Sequence, residues 1–258
     1  MGKIPIALQL YTVRDDLAEN PIQTIRSVSE IGYQGVEGGP PAGMSNIDFL
    51  ELLTDHNLVL IGGGVSPVEM RNDIQKISDR CQELGIDTLM CGIGGELQQH
   101  NGDWIPVVEA LAEGCAKAKE VGLRILYHNH AFEFENKVNG KYGLDYLFDT
   151  IPVSDIQAEL DTYWVQKGGA DPVEYIKKYA GRLPRLHIKD SVSDPENQDC
   201  PFAEVGHGIL DWDNIFAVSP DAGVEWYVVE QDRCVRSPLE SAKLSLDYLR
   251  SRGMISNK

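Results

Sequence analysis

Residues 30–37 read EIGYQGVE, and the same grammar returns as ELGIDTLM at 83–90, EVGLRILY at 120–127 and DAGVEWYVVE at 221–230. In each, a polar-apolar pair ends a helical pattern, a glycine follows, and a run rich in β-branched, aromatic or long aliphatic residues begins just after it. Glycine relieves the left-handed geometry at a helix C-terminus, and the run beyond it suits a buried strand. These segments therefore predict a helix-glycine-strand repeat.

A second pattern marks where helices start. NPIQ at Asn20, SPVE at Ser66, DPVE at Asp171 and SPLE at Ser237 each place a capping residue first, proline at the first helical position, and Glu or Gln at the third. This is the sequence form of a capping box. After the last of them, Leu239, Ala242, Leu246 and Leu249 fall on one helical face, which predicts that this face packs inward.

Together the patterns predict strands near 4–11, 34–38, 58–65, 87–92, 123–130, 156–161, 183–189 and 226–231. Their spacing averages about 30 residues, the length of a βαβ unit. Eight such units in 258 residues point to a (β/α)8 TIM barrel. A doubly wound open sheet is the rival, but IGGGVSP and GIGGE lack the G-x-G-x-x-G spacing of its nucleotide turn. With no linker or low-complexity tract, residues 1–258 are expected to form a single domain.

Composition narrows the function. The chain is 42% hydrophobic and carries a net charge of −17, which argues against a nucleic-acid partner because phosphate binding needs clustered Lys and Arg. No apolar stretch is long enough to span a membrane, and the N-terminus lacks the pattern of a secretory signal, so a cytoplasmic protein is expected. The five cysteines are scattered without a C-x-x-C pair, which suits reduced thiols; Cys91 and Cys234 read as packing residues.

The unusual polar residues collect at strand ends: Gln9 and Tyr11, Glu37, His128 and His130, Glu159 and Asp161, His187 and Lys189, Glu230 and Asp232. Residues two apart on a strand share a face, and in such barrels the active site lies at the C-terminal strand ends. Imidazoles and carboxylates without cysteine suit a divalent ion such as Mn2+, Mg2+, Co2+ or Zn2+. Asp161, His187 and Glu230 end three successive strands; the fourth ligand is either His128 or Glu133 from the loop beyond. Each residue also has a plain structural reading. Asp161 could cap the following helix, Trp164 could be a rim hydrophobe rather than a sugar-stacking platform, and His207 reads as a loop residue.

The blocks LQLYTVRDDL, YHNHAFEF, ELDTYWVQKGGADPVEYIKKYAGRLPRLHIKD, FAEVGHGILDW and WYVVEQD, in this order, resemble the sugar phosphate isomerase/epimerase family of xylose isomerase-like TIM barrels over nearly the whole chain. The resemblance implies one divalent metal, Mn2+ first, held by Asp161, His187 and Glu230. Where the family's epimerases keep a glutamate on strand five, this chain has His128, as the inosose dehydratase branch does with its YHHH block. The implied function is a sugar isomerase or epimerase acting on a keto-sugar through an enediolate. The alternative is a lyase or dehydratase of the inosose dehydratase or 3-keto-glycoside type, expelling a β-substituent from the same enolate. A phosphodiester hydrolase of the endonuclease IV type is the weakest reading. Glu133, His130 and Glu230 are the candidate bases, and Lys189, Trp164, Glu37 and Arg14 the candidate substrate-binding residues. The expected partner is a small-molecule sugar, with pairing into a homodimer through surface helices left open.

Overall fold

The computed structural model describes residues 3–135, 137–193 and 199–255. Eight parallel strands close into a barrel: β1 (Ile6–Gln9), β2 (Gly35–Glu37), β3 (Val59–Gly64), β4 (Thr88–Cys91), β5 (Arg124–His128), β6 (Gln157–Asp161), β7 (Arg185–Ile188) and β8 (Trp226–Val229). Each strand pairs with its neighbours in sequence, and β1 pairs with β8 to close the ring. All eight fall inside the ranges expected from the sequence, trimmed at their ends where turns take over.

The turn glycines behave as their pattern requires. Gly32, Gly85, Gly122 and Gly223 have φ of 113°, 65°, 80° and 92°, the left-handed region that side chains disfavour. At the other helix ends, Asn20, Ser66, Asp171 and Ser237 all accept a backbone N–H from their first turn. The reciprocal capping box is complete at Ser66 and Glu69. At the three other helix starts only the capping half is made, a correction to the expectation of four full boxes. Ala242, Leu246 and Leu249 are buried on the inward face of the last helix, with Leu239 partly buried beside them.

The main core lies between the outside of the barrel and the surrounding helices. A separate small cluster of Ala7, Ile61 and Val228, packed against Trp226, closes the barrel interior from below. By strand alternation, Gln9 and Glu230 lie on the same inward side as Ala7 and Val228, two residues nearer the mouth. The apolar floor therefore gives way to polar layers going up. Two short antiparallel hairpins, Lys137–Val138 with Lys141–Tyr142 and Asp190–Ser191 with Phe202–Ala203, follow β5 and β7. Neither was expected from the sequence. No helix among the described residues is long and apolar enough to cross a membrane.

Candidate metal centre

The register places the polar layers. His128 is level with Glu159, Glu159 with Arg185, and Asp161 with His187. Closing the sheet brings one donor atom each from His128, Asp161, His187 and Glu230 to within 4.8 Å of one another, all buried. Asp161 divides its carboxylate: Oδ1 accepts from Trp164 N at 3.0 Å, capping the helix Thr162–Lys167, while buried Oδ2 has no hydrogen bond among the described residues and faces the Lys189 ammonium. The capping and ligand readings of this residue are compatible because they use different oxygens. Asn129, between the two histidines, accepts the Asp161 backbone N–H at 2.9 Å and so ties β5 to β6 at this level.

Below the four donors lies a buried charged layer. Arg185 Nη1 bonds Glu37 and reaches Glu159 Oε2 at 3.2 Å, and its Nη2 donates to Ile61 O at 2.6 Å. Gly62 makes this possible: a Cβ there would stand 2.9 Å from the guanidinium. The glycines of IGGG thus serve close packing inside the barrel rather than a phosphate turn.

This layer orients both imidazoles. His128 Nδ1 lies 3.2 Å from Glu159 Oε1, leaving Nε2 toward Asp161 Oδ2 at 3.8 Å. His187 Nε2 lies 2.7 Å from Glu37 Oε2 and 3.1 Å from Glu159 Oε1, while its Nδ1 is 3.0 Å from Glu230 Oε2. An imidazole that gives one N–H to a carboxylate presents its other nitrogen as a ligand, with the ring orientation fixed.

The charges are tightly coupled. Burial pulls the His187 pKa down, but Glu159, Glu230 and Glu37 overcome it and hold the pKa well above its usual value. Burial raises Glu159 and Glu230; against it, His187 holds Glu159 well below the ordinary range, and Lys189 does the same for Glu230. Asp161 is raised, mainly by burial. Lys189 Nζ sits 3.0 Å from Asp161 Oδ2, 2.8 Å from Glu230 Oε2 and 2.8 Å from Asp232 Oδ2, and these carboxylates outweigh burial to raise its pKa. A divalent ion would displace the His187 proton, and once that proton is gone the carboxylates of the cluster and the layer below it, Glu37, Glu159, Asp161 and Glu230, exceed Arg185 and Lys189 by two charges. Mixed nitrogen and oxygen donors, a buried Asp161 oxygen met by the Lys189 ammonium at 3.0 Å, and this charge balance all fit such an ion.

The description "Xylose isomerase-like TIM barrel" belongs to the family model that matches residues 25–252. The chain belongs to this family.

An inosose dehydratase of Geobacillus kaustophilus is 24% identical over 88% of this chain and 85% of its own length. One of Clostridium perfringens is 27% identical over 58% of this chain, and the match spans 55% of that relative, about half its length. Among solved structures, a sugar phosphate isomerase/epimerase from Parabacteroides distasonis superposes with a TM-score of 0.82 at 23% identity, covering 99% of this chain and all of that one. An IolI protein with a bound zinc atom superposes at 0.73 with 16% identity, covering 98% and 100%. At these identities the structural likeness establishes the fold.

Within this xylose isomerase-like barrel, the remaining expected site residues separate. Glu133 is not brought to the cluster. The turn Phe132–Phe134 carries it behind β5, where its carboxylate takes Tyr127 Oη and His130 N, each at 2.9 Å, and burial lifts its pKa to about 8. Tyr127 alternates with His128 and points to the outer face, so Glu133 lies on the wrong side of the wall to be a ligand or base. Glu37, expected to touch substrate, is fully buried beneath His187, and it serves the lower layer instead. Arg14 spans the rim, donating to Tyr11 O at 2.8 Å and Asp232 O at 3.0 Å, rather than reaching the cluster. His130 and Trp164 stay near it: the His130 ring lies 5.1 Å from His128 and 5.3 Å from Trp164. Burial lowers the His130 pKa to about 3, with His128 and Lys189 adding to the effect.

Sequence reasoning passed over Arg185 and Asp190. Asp190, fully buried, accepts from Ser191 N, Gly206 N, Gly208 N, Leu210 N and Trp212 Nε1 at 2.7–3.1 Å. It is the organiser of the GHGILDW loop, whose exposed His207 touches none of the cluster. The close glycines of that motif were the available signal: a Cβ on Gly208 would overlap the Asp190 carboxylate.

Proposed function

We propose that this protein is a metal-dependent lyase of the dehydratase type, which removes a proton next to the carbonyl of a keto-sugar or keto-polyol and expels a β-substituent. His128 as the strand-five donor carries this reading. An epimerase working with two carboxylates needs one on each side of the substrate, whereas here Glu159 is turned down onto Arg185 and Glu133 is outside the barrel. The inosose dehydratase names of the curated relatives support the same choice over the isomerase or epimerase reading.

The proposed ligands are His128 Nε2, Asp161 Oδ2, His187 Nδ1 and Glu230. Mn2+ is the first choice, with Mg2+, Co2+ and Zn2+ able to use the same donors. A bound ion would polarise the substrate carbonyl and stabilise negative charge developing on its oxygen. Of the candidate bases, Glu133 is excluded by position, and His130 stands outside the four-donor cluster, packed against Phe132 and Trp164. Glu230 remains to take the α-proton. Lys189, its ammonium 2.8 Å from Glu230 Oε2, is placed to supply a proton to the departing oxygen and to regain one from Glu230. The carbon–hydrogen and β-carbon–oxygen bonds break, a carbon–carbon double bond forms, and water is the leaving product. No redox partner is required.

The test is incubation of metal-loaded protein with keto-inositols and keto-sugars in D2O. A product lighter by one water supports the proposal. A product of unchanged formula carrying one deuterium supports isomerisation instead, and no α-proton exchange with any of them overturns both.

A further inference from the structure

A cavity of about 670 Å3 opens beside the metal cluster, on the far side of His130. Its walls come from helix Gly94–Gln99, the start of helix Trp104–Glu120 and the turn after β5. Gly94, Leu97, Trp104, Phe132, His130 and Trp164 make up most of its lining. The rings form a continuous row. Trp104 and Phe132 centroids are 6.1 Å apart, Phe132 is stacked with His130 at 6.0 Å and 15°, and His130 is 5.1 Å from His128. Gly94 presents no side chain over Phe132; a Cβ there would already touch the ring at 3.4 Å.

His130 is part of the cavity wall and its ring lies 5.1 Å from His128, so the cavity stands one ring away from the cluster, within reach of a substituent on a substrate bound there. The lining surface is mostly apolar, with Gln98, Asn101 and Glu135 as further polar side chains on it, so hydroxyls on every side of a bare keto-polyol would leave much of it unmatched. Planar aromatic surface matches it, because rings gain from stacked and edge contacts as well as from burial. Trp164 joins the same wall, its ring 5.3 Å from that of His130.

We propose that the cavity between Leu97, Phe132 and Trp164 is a subsite for an aromatic group carried on a sugar oxygen, so that the substrate is an aryl-substituted keto-sugar. This rests on the reading of the cluster as a keto-sugar site, and it names the substrate class.

The test is calorimetric titration of the full-length, metal-loaded protein with phenyl β-D-glucopyranoside and with methyl β-D-glucopyranoside. The phenyl compound is expected to bind at least about tenfold more tightly, as burial of one ring face implies. Leu97→Trp, which fills the cavity from the helix surface away from the cluster, should abolish that preference, and Gly94→Leu should do the same from the other wall. Equal affinities in wild type, absence of phenyl binding, or a preference surviving both filled variants would overturn the proposal. Because binding requires no turnover, a protein that shows the phenyl preference yet exchanges no α-proton in D2O would reject the lyase reading and leave the subsite standing.

Discussion

Nε2 of His187 lies 2.7 Å from Oε2 of Glu37, a residue 150 positions earlier in the chain. This bond fixes which imidazole nitrogen faces Glu230, and it makes Glu37 a positioning residue for the cluster. Glu37→Gln is therefore expected to weaken Mn2+ binding by roughly 10- to 100-fold, the usual cost of losing such a partner. Titration of the metal-free protein with Mn2+ measures this; an unchanged affinity would separate Glu37 from the site.

Much of the barrel could be read from residues in plain view. Glycines 32, 85, 122 and 223 mark helix ends because only their backbone geometry is needed there, and that is a local property. Asp161, His187 and Glu230 were legible because strand ends have a known place in such a barrel. Arg185 and the roles of Glu159 and Glu37 were not, since their partners lie on strands distant in sequence and meet only when the sheet closes. Glu133 misled for the opposite reason: it is three residues from His130, but the intervening turn sends it to the outer face. The two-residue hairpins carry too short a pattern to register as strands.

Gly62 and Arg185 make a steric prediction. Gly62→Ala would set its Cβ 2.9 Å from both the guanidinium and Thr88 O, inside a filled barrel. Overpacking of this kind costs about 1–3 kcal/mol. Urea unfolding should show that loss, whereas Gly39→Ala, with nothing among the described residues within 4 Å of its Cβ, should be near neutral.

Asp190 holds four backbone N–H groups and the Trp212 indole. Asp190→Ala leaves those donors without an acceptor, and a loss of about 3 kcal/mol or more is expected. The 204–212 loop should also become the first segment to exchange its amide hydrogens. Wild-type protection in the variant would contradict the assigned role.

Glu133 gives stability a distinctive pH dependence. Its folded pKa of about 8 lies above the ordinary 4.5, chiefly through burial. The folded protein therefore holds this proton more tightly than the unfolded chain. That contribution is complete below pH 4.5 and disappears as pH rises through 8, on the order of 5 kcal/mol across the window. Glu133→Gln, which cannot titrate, should flatten the fall in unfolding free energy between pH 5 and 8. Parallel profiles for wild type and variant would show that Glu133 does not carry this dependence.

The most direct test of the proposed metal centre compares divalent-metal binding in wild type, His128→Ala and Glu133→Ala, each loaded with Mn2+, desalted and assayed for metal content. The arrangement of His128 with Asp161, His187 and Glu230 predicts about one ion per chain in wild type and in Glu133→Ala, and loss of the ion in His128→Ala. Metal-free wild-type protein, or retention in His128→Ala with loss in Glu133→Ala, would contradict it.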